Sequence, residues 1–80
     1  MTIHDINSTT VINNVTYHTI GETIINGNNS ITNTETYANG IEISKGQYTS
    51  SIENGVDSWT STIIEEPNGQ VIKSHGSFNI

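Results

Sequence analysis

Polar and apolar residues alternate with a period of two along much of the chain. Between residues 30 and 37, for example, Thr32, Thr34 and Thr36 occupy every second position. Alternate residues of a β-strand point to opposite faces, whereas one face of a helix repeats about every 3.6 residues. The pattern therefore predicts strands. Because the apolar side of segment 30–37 is thin, we predict that this segment is an edge strand.

Asn-Asn and Asn-Gly pairs interrupt the alternation at intervals of 13 to 15 residues. Both residues of an Asn-Gly pair tolerate a positive φ, which a type I′ turn requires at its two central positions. A strand of about eight to ten residues and a short turn fill such an interval. We therefore predict an all-β fold, a small antiparallel meander or sandwich of five or six short strands. The pairs are Asn13-Asn14, Asn26-Gly27, Asn39-Gly40, Asn54-Gly55 and Asn68-Gly69.

Local patterns refine the strand boundaries. The alternation predicts a strand over 11–17, and Lys45-Gly46 predicts a bulge or a second turn. The segment 65–70 carries Pro at the second position of a type I turn. Two short strands are predicted after it, over 71–73 and 76–80.

The near-regular spacing also allows a short β-solenoid, in which each repeat adds one coil. A solenoid needs apolar residues at fixed offsets from each corner, because every coil packs on the next one. Ile41 and Val56 lie two residues after the Asn of their pairs, but Ile31 lies five residues after its Asn. The turn spacing thus repeats while the side-chain pattern does not. The meander is favoured, and the solenoid remains the alternative.

Composition supports the β class. The chain contains fourteen Ile and twelve Thr, no Leu, no Arg and a single Ala, which favours strands over helices. Apolar residues make up 31% of the chain, against roughly 45–50% in an ordinary globular domain. We therefore expect a small core. A length of 80 residues predicts a single β domain over 1–80.

Charge and targeting signals narrow the classes of partner. The formal net charge is −6, and Lys45 and Lys73 are the only Lys or Arg residues. Direct binding to nucleic acid or to an anionic membrane needs clustered Lys or Arg, so we expect neither kind of binding. A basic partner protein is compatible with the negative net charge. The N-terminus lacks the basic and apolar regions of a signal peptide. We expect a cytoplasmic protein, or one that is exported or assembled by a non-classical route.

The sequence shows no pattern typical of catalysis or of a metal site. His4, His18 and His75 lack the spacing of metal ligands, and there is no Cys. No Gly-x-Ser-x-Gly motif surrounds a serine. Glu65-Glu66 is a poor acid/base pair because neighbouring side chains in a strand point to opposite faces. We predict that the protein is not an enzyme and that it uses no cofactor.

Three groups of residues are candidates for binding a partner. The first is the threonine array, Thr32, Thr34 and Thr36, which offers hydroxyls and methyls on one face. The second is Trp59, a residue type enriched at binding hot spots. The third is a cluster of carboxylates that would form an acidic surface if the sheet brings them to one face: Glu42, Glu53, Asp57, Glu65 and Glu66.

Two function hypotheses follow. The first is a non-enzymatic binding or assembly protein that acts through sheet edges and an exposed polar sheet face, in an oligomer, a fibre or a contact with a partner protein. The scarcity of Lys, a common guard of sheet edges, supports it. The alternative is a small acidic inhibitor of the kind that mobile elements encode, which blocks a basic nucleic-acid-binding protein by charge mimicry. The expected partner is another protein or copies of the chain itself, and a homo-oligomer is expected.

Overall fold

Each strand of the protein pairs antiparallel with the next strand along the chain, in a computed structural model that describes all 80 residues. The result is one open six-stranded sheet with the order β1 to β6 and no helix. The meander is thereby confirmed as a single sheet rather than a sandwich, and the solenoid alternative is wrong. The strands are β1 Thr2–Ile12, β2 Val15–Asn26, β3 Asn29–Ala38, β4 Ile41–Glu53, β5 Val56–Glu65 and β6 Gln70–Asn79.

The strands contain 10 to 13 residues, so they are longer than the short strands we predicted. Asn13 and Asn14 form a two-residue turn without Gly, and both have a positive φ (52° and 66°). This turn divides the strand predicted over 11–17. At the other end of the chain, the two segments predicted over 71–73 and 76–80 are joined in β6. Gly76 lies within this strand because the ring of Trp59 covers it.

Positive φ angles confirm most of the predicted turns. Both central residues are left-handed at Asn39-Gly40 and at Asn54-Gly55, as a type I′ turn requires. The turn between β2 and β3 is shifted by one residue, since Asn26 pairs with Asn29 and the central residues are Gly27 and Asn28. Only Gly27 has a positive φ there (61°), which fits a type II′ turn with Gly at its first central position.

The last turn differs from the predicted type I turn. The amide of Gly69 donates a hydrogen bond to the carbonyl of Glu65 (2.8 Å), so the turn closes over five residues instead of four. The Glu66–Pro67 peptide bond is cis, and Gly69 has a positive φ of 67°. A four-residue loop therefore joins Glu65 to Gln70, the first pair of the β5–β6 ladder.

The bulge in β4 lies before the predicted position. Thr36 pairs with Ser44 and Tyr37 pairs with Glu42, which leaves Ile43 as the extra residue. The strand then continues through Lys45-Gly46 without a turn. The physical reason is side-chain cover: a Cβ at Gly46 would lie 3.0 Å from the ring of Tyr48, so an aromatic side chain takes the place of the missing one.

The threonine-rich strand β3 is central, and the prediction that it forms an edge is wrong. β3 is hydrogen-bonded to β2 on one side and to β4 on the other. On the opposite side of β3, where the threonines lie, hydroxyl contacts replace apolar ones, with the Oγ1 atoms of Thr23 and Thr32 2.9 Å apart. The two edges of the sheet are β1 and β6.

The sheet is a single layer without a core. No residue is buried, and the molecule measures 46 × 26 × 19 Å. Its accessible surface is 5708 Å², whereas a compact protein of this mass exposes about 4,700 Å². Both faces of the sheet are therefore open to solvent. The structure contains no helix with the length and hydropathy needed to cross a bilayer.

The two faces differ in chemistry. Pairing register and strand alternation place both lysines and five carboxylates on one face, which we term the charged face. The opposite side, the aromatic face, has only two carboxylates, on Asp57 and Glu65. The carboxylates of the charged face belong to Asp5, Glu22, Glu35, Glu42 and Glu53, and the aromatic face carries Tyr17, Tyr48, Trp59, Phe78 and the threonine array.

Candidate interaction surfaces

The threonine array lies at the centre of the aromatic face. Thr32 contacts the hydroxyl of Thr23, and Thr36 contacts the hydroxyl of Thr19 at 3.1 Å. Thr34 stands between Gly21 and Gly46 in one cross-strand row. The hydroxyls of Thr32 and Thr36 are thus used within the sheet, whereas Thr34 is flanked by residues without side chains. The array is a half-buried surface in the middle of the sheet, not an edge.

Trp59 makes its main contact within the chain. It pairs with Gly76 of β6, and a Cβ on that glycine would lie 2.7 Å from the indole ring. The ring therefore covers the backbone of an edge strand, in the way that aromatic side chains protect strand glycines. Trp59 remains 36% exposed, so the outer side of the ring is available to a partner on the aromatic face.

The carboxylates singled out from the sequence do not form one surface. Glu42 and Glu53 lie near opposite ends of β4 on the charged face. Asp57 and Glu65 lie on the aromatic face, and Glu66 lies in the loop after β5. Two of them have partners: Asp57 accepts a hydrogen bond from Ser50 (2.7 Å), and Glu42 lies 3.7 Å from Lys45. Strand alternation separates residues that are close in sequence, which the linear pattern alone did not resolve.

A different group of polar residues surrounds a depression of about 540 Å³ on the charged face. Gln47 Nε2 donates to Asn33 Oδ1 across it (3.2 Å). The linear sequence does not indicate this group, because its members come from five strands and only the pairing register brings them together. No set of His, Asp or Glu side chains is placed to hold a metal ion. The polar residues of the charged face that line the depression are Asp5, Glu22, Asn33, Glu35, Lys45, Gln47 and Thr62.

Tyr37 on the charged face has a strongly raised pKa, and Glu35 is the main cause. The Tyr37 hydroxyl donates to Glu35 Oε2 at 2.7 Å. This hydrogen bond, with partial desolvation and the nearby charges of Glu35 and Glu42, raises the pKa of Tyr37 to about 12. The carboxylate holds the phenol proton because a second negative charge beside it would be unfavourable. The pair fixes the Tyr37 ring along β3.

The three histidines are far apart in the sheet. His18 Nε2 lies 2.7 Å from Asn7 Oδ1, a cross-strand contact between β2 and β1 on the charged face. His4 lies on the aromatic side of β1, and His75 lies on the opposite edge in β6. The His18 contact therefore joins two neighbouring strands, and the pairing register does not bring the histidines together.

The edge strand β1 presents a full row of unpaired backbone groups. A two-residue turn makes its flanking residues, Ile12 and Val15, a hydrogen-bonded pair, and such pairs alternate along the ladder. Even-numbered residues of β1 therefore bond to β2. The residues whose N–H and C=O groups point away from the sheet are Ile3, Asp5, Asn7, Thr9 and Val11.

The edge strand β6 is open in the same way. The amide of Ile80 donates to the carbonyl of Gly55 (2.9 Å), which sets the phase of the ladder, so even-numbered residues of β6 bond to β5. Neither edge strand contains a proline or a bulge, and each contains a single Lys, Asp or Glu. The outward-pointing residues of β6 are Val71, Lys73, His75, Ser77 and Asn79.

No family model, curated protein or solved structure matches this chain.

Proposed function

We propose that this protein is a non-enzymatic assembly module, which pairs further β-strands with its two open sheet edges and uses the exposed face around Thr34 as a second contact. The strands come from copies of the chain or from a partner protein. The observation that carries the proposal is the open sheet itself: no residue is buried, and both edges run the full length of the sheet.

The edges support the proposal through their hydrogen-bonding groups. A row of unpaired N–H and C=O groups is a template for another strand, and natural proteins usually block it with proline, bulges, several lysines or a very short edge strand. The edge strands here have 11 and 10 residues. Lys73 is the only lysine on either edge. The usual devices that prevent edge pairing are thus nearly absent.

The uncovered faces support it energetically. Ordering the backbone costs about 1–2 kcal/mol per residue, and burial of apolar surface is the main compensation. Ile72 and Phe78 are 41% and 52% exposed on the aromatic face of β6. The surface in excess of that of a compact protein is about 1,000 Å², which is comparable to the roughly 800 Å² that each partner buries in a standard interface. Association supplies the burial that the isolated sheet lacks.

Proline substitutions at outward-pointing edge positions test the proposal. In Asn7→Pro/His75→Pro, each proline removes one free N–H and spares the hydrogen bonds to β2 and β5. Light scattering should show concentration-dependent assembly of the wild-type protein and a monomeric double variant. The control is Asn7→Ala/His75→Ala, which loses the same side chains, including the Asn7 contact to His18, and keeps both N–H groups. It should assemble like the wild type, and circular dichroism should show an unchanged sheet.

Two results would contradict edge pairing. One is a wild-type protein that stays monomeric at high concentration and binds no partner strand. The other is equal assembly of the proline and alanine variants. The dependence of binding on ionic strength distinguishes the alternative inhibitor hypothesis from strand pairing. An inhibitor that mimics the charge of a nucleic acid should lose affinity steeply as the salt concentration rises, whereas the affinity of strand pairing should change little.

A further inference from the structure

The pairing register places Asp5 and Lys73 at the two ends of one cross-strand row. Both side chains lie on the charged face, and each residue directs its backbone N–H and C=O away from the sheet. Asp5 is the only acidic residue of β1, and Lys73 is the only lysine of β6. From one edge to the other the row reads Asp5, Glu22, Asn33, Gln47, Thr62, Lys73.

The number of strands makes the two edges compatible. With six strands in a meander, β6 runs antiparallel to β1. A second copy shifted across the sheet, without being turned over, therefore places its β1 antiparallel to β6 of the first copy. The charged faces of the two copies are then continuous, and the free backbone groups of both edges meet as hydrogen-bonded pairs.

We propose that copies of this chain join head to tail, with β6 of one copy pairing antiparallel with β1 of the next so that Lys73 lies opposite Asp5. This inference rests on the proposed assembly function and names the partner and the register. An opposite-charge pair directly across two strands is favourable, whereas like charges there are unfavourable. In the same register Ile72 lies opposite Ile6 on the aromatic face.

The charges favour this pairing over a two-fold symmetric one. If β1 paired with β1 of a second copy, Asp5 would find no lysine on the facing strand. If β6 paired with β6, Lys73 would find no carboxylate. Only the pairing of unlike edges uses both charges. Because such a contact leaves one edge free at each end, it adds copies without limit unless the rotation closes a ring.

The geometry of the product follows from that of a sheet. Six strands at a spacing of about 4.8 Å advance each copy by about 29 Å. The twist of roughly 20–25° between neighbouring strands rotates each copy by roughly 120–150° relative to the last one. The expected product is a twisted filament whose strands run across its axis. Electron microscopy should show this axial repeat.

Charge reversal at the two ends of the row tests the register. Asp5→Lys alone and Lys73→Asp alone each place like charges across every junction, so each should need roughly two- to thirtyfold more protein for half-maximal assembly. The double variant Asp5→Lys/Lys73→Asp restores opposite charges and should assemble like the wild type. An equimolar mixture of the two single variants should also assemble, with the two kinds of copy alternating.

Interior substitutions on the same face control for net charge. Glu22→Lys changes the charge as Asp5→Lys does, and Lys45→Asp changes it as Lys73→Asp does, but neither position lies at an edge. Both controls should assemble like the wild type. Circular dichroism of every variant should show an unchanged sheet.

The outcomes separate this inference from the function on which it rests. If the wild-type protein assembles and neither single reversal weakens assembly, edge pairing stands and the Asp5–Lys73 register is wrong. If the double variant or the mixture fails to assemble, the register is also wrong. If the wild-type chain stays monomeric at high concentration but binds partner strands, edge pairing stands and the second copy is excluded as the occupant.

Discussion

At the scale of single residues, contacts of aromatic rings and hydroxyls between neighbouring strands take the place of packing in a core. Trp59 and Tyr48 cover the backbone at Gly76 and Gly46. The Thr49 and Thr60 hydroxyls meet across β4 and β5 in the same way as the other threonine pairs. Gly21 has a different role, since a Cβ there would fall on the carbonyl group of Asn33. The close approach of two strands at this point therefore requires glycine.

The Tyr37–Glu35 pair gives a prediction at this scale. The pKa of Tyr37, raised to about 12 by the Glu35 carboxylate, should fall towards the ordinary value of 10.0 in Glu35→Gln. Ultraviolet titration of the tyrosinate band measures it. The titration step that Tyr37→Phe removes identifies the residue. If that step has the same pKa in the wild type and in Glu35→Gln, the hydrogen bond is not its cause.

The same pair has a consequence for stability against pH. The folded state holds the Tyr37 proton more tightly than the unfolded state, so the contribution of the pair is fully present below pH 10 and is lost as pH rises from 10 towards 12. Chemical unfolding of the wild type and of Glu35→Gln over this range should therefore show a steeper loss of stability in the wild type. Tyr37 is only half-buried, so the effect should be small.

At the scale of elements, the hairpins are defined by their turns. Asn13-Asn14 forms a two-residue turn with positive φ at both positions although it lacks Gly. Asn tolerates this conformation better than other residues with a Cβ. The turn between β3 and β4 is also anchored to β2, because the Asn39 side chain accepts a hydrogen bond from the amide of Thr16 (3.0 Å) and the Asn39 amide donates to the carbonyl of Thr16 (2.8 Å). These contacts extend the β2–β3 ladder by one residue beyond the end of β3.

The first hairpin gives a prediction for Asn14, whose φ is 66°. Asn14→Ala should destabilise the protein by about 1 kcal/mol, because the left-handed conformation is sterically unfavourable for alanine. Asn14→Gly should be neutral or stabilising, because glycine adopts that conformation freely. Urea unfolding at a fixed protein concentration measures both. Equal stability of the Ala and Gly variants would show that the turn does not need a positive φ at this position.

At the scale of the whole molecule, the distribution of charge decides which side of the sheet can be covered. The charged face keeps both lysines and five carboxylates in water. The aromatic face brings together Trp59, Phe78 and the threonine array with only two carboxylates, on Asp57 and Glu65, towards opposite ends of β5. Burying the aromatic face therefore requires little desolvation of charge. A second layer on this side would turn the single sheet into a sandwich.

Neighbouring isoleucines of β5 give a matched test of this asymmetry. Ile63 lies on the aromatic face and Ile64 on the charged face, and both are half-buried. If the aromatic face is covered on assembly, the emission of Trp59 should shift to shorter wavelength. Ile63→Lys should reduce that shift, and Ile64→Lys should leave it unchanged. The same loss in both variants would indicate general destabilisation instead of contact through one face.

The sequence by itself determined the local features of this protein. A period of two specified strands, and Asn-Asn and Asn-Gly pairs specified where the chain turns, because both depend on residues adjacent in sequence. The errors at these places were small: a shift of one residue at Gly27 and a bulge at Ile43 in place of Lys45-Gly46. The Asn13-Asn14 pair belongs to the same series of turns, yet the alternation predicts a strand over 11–17, so the sequence does not show where β1 ends.

Only the tertiary structure decided which strands are edges, which residues share a face and which charges face each other. The threonine-rich strand is central because it pairs on both sides, which its own alternation cannot reveal. Glu53 and Asp57 lie on opposite faces, although they are four residues apart. Asp5 and Lys73 share a row although they are 68 residues apart, since every intervening strand must pair in one register before the two ends of the row are defined.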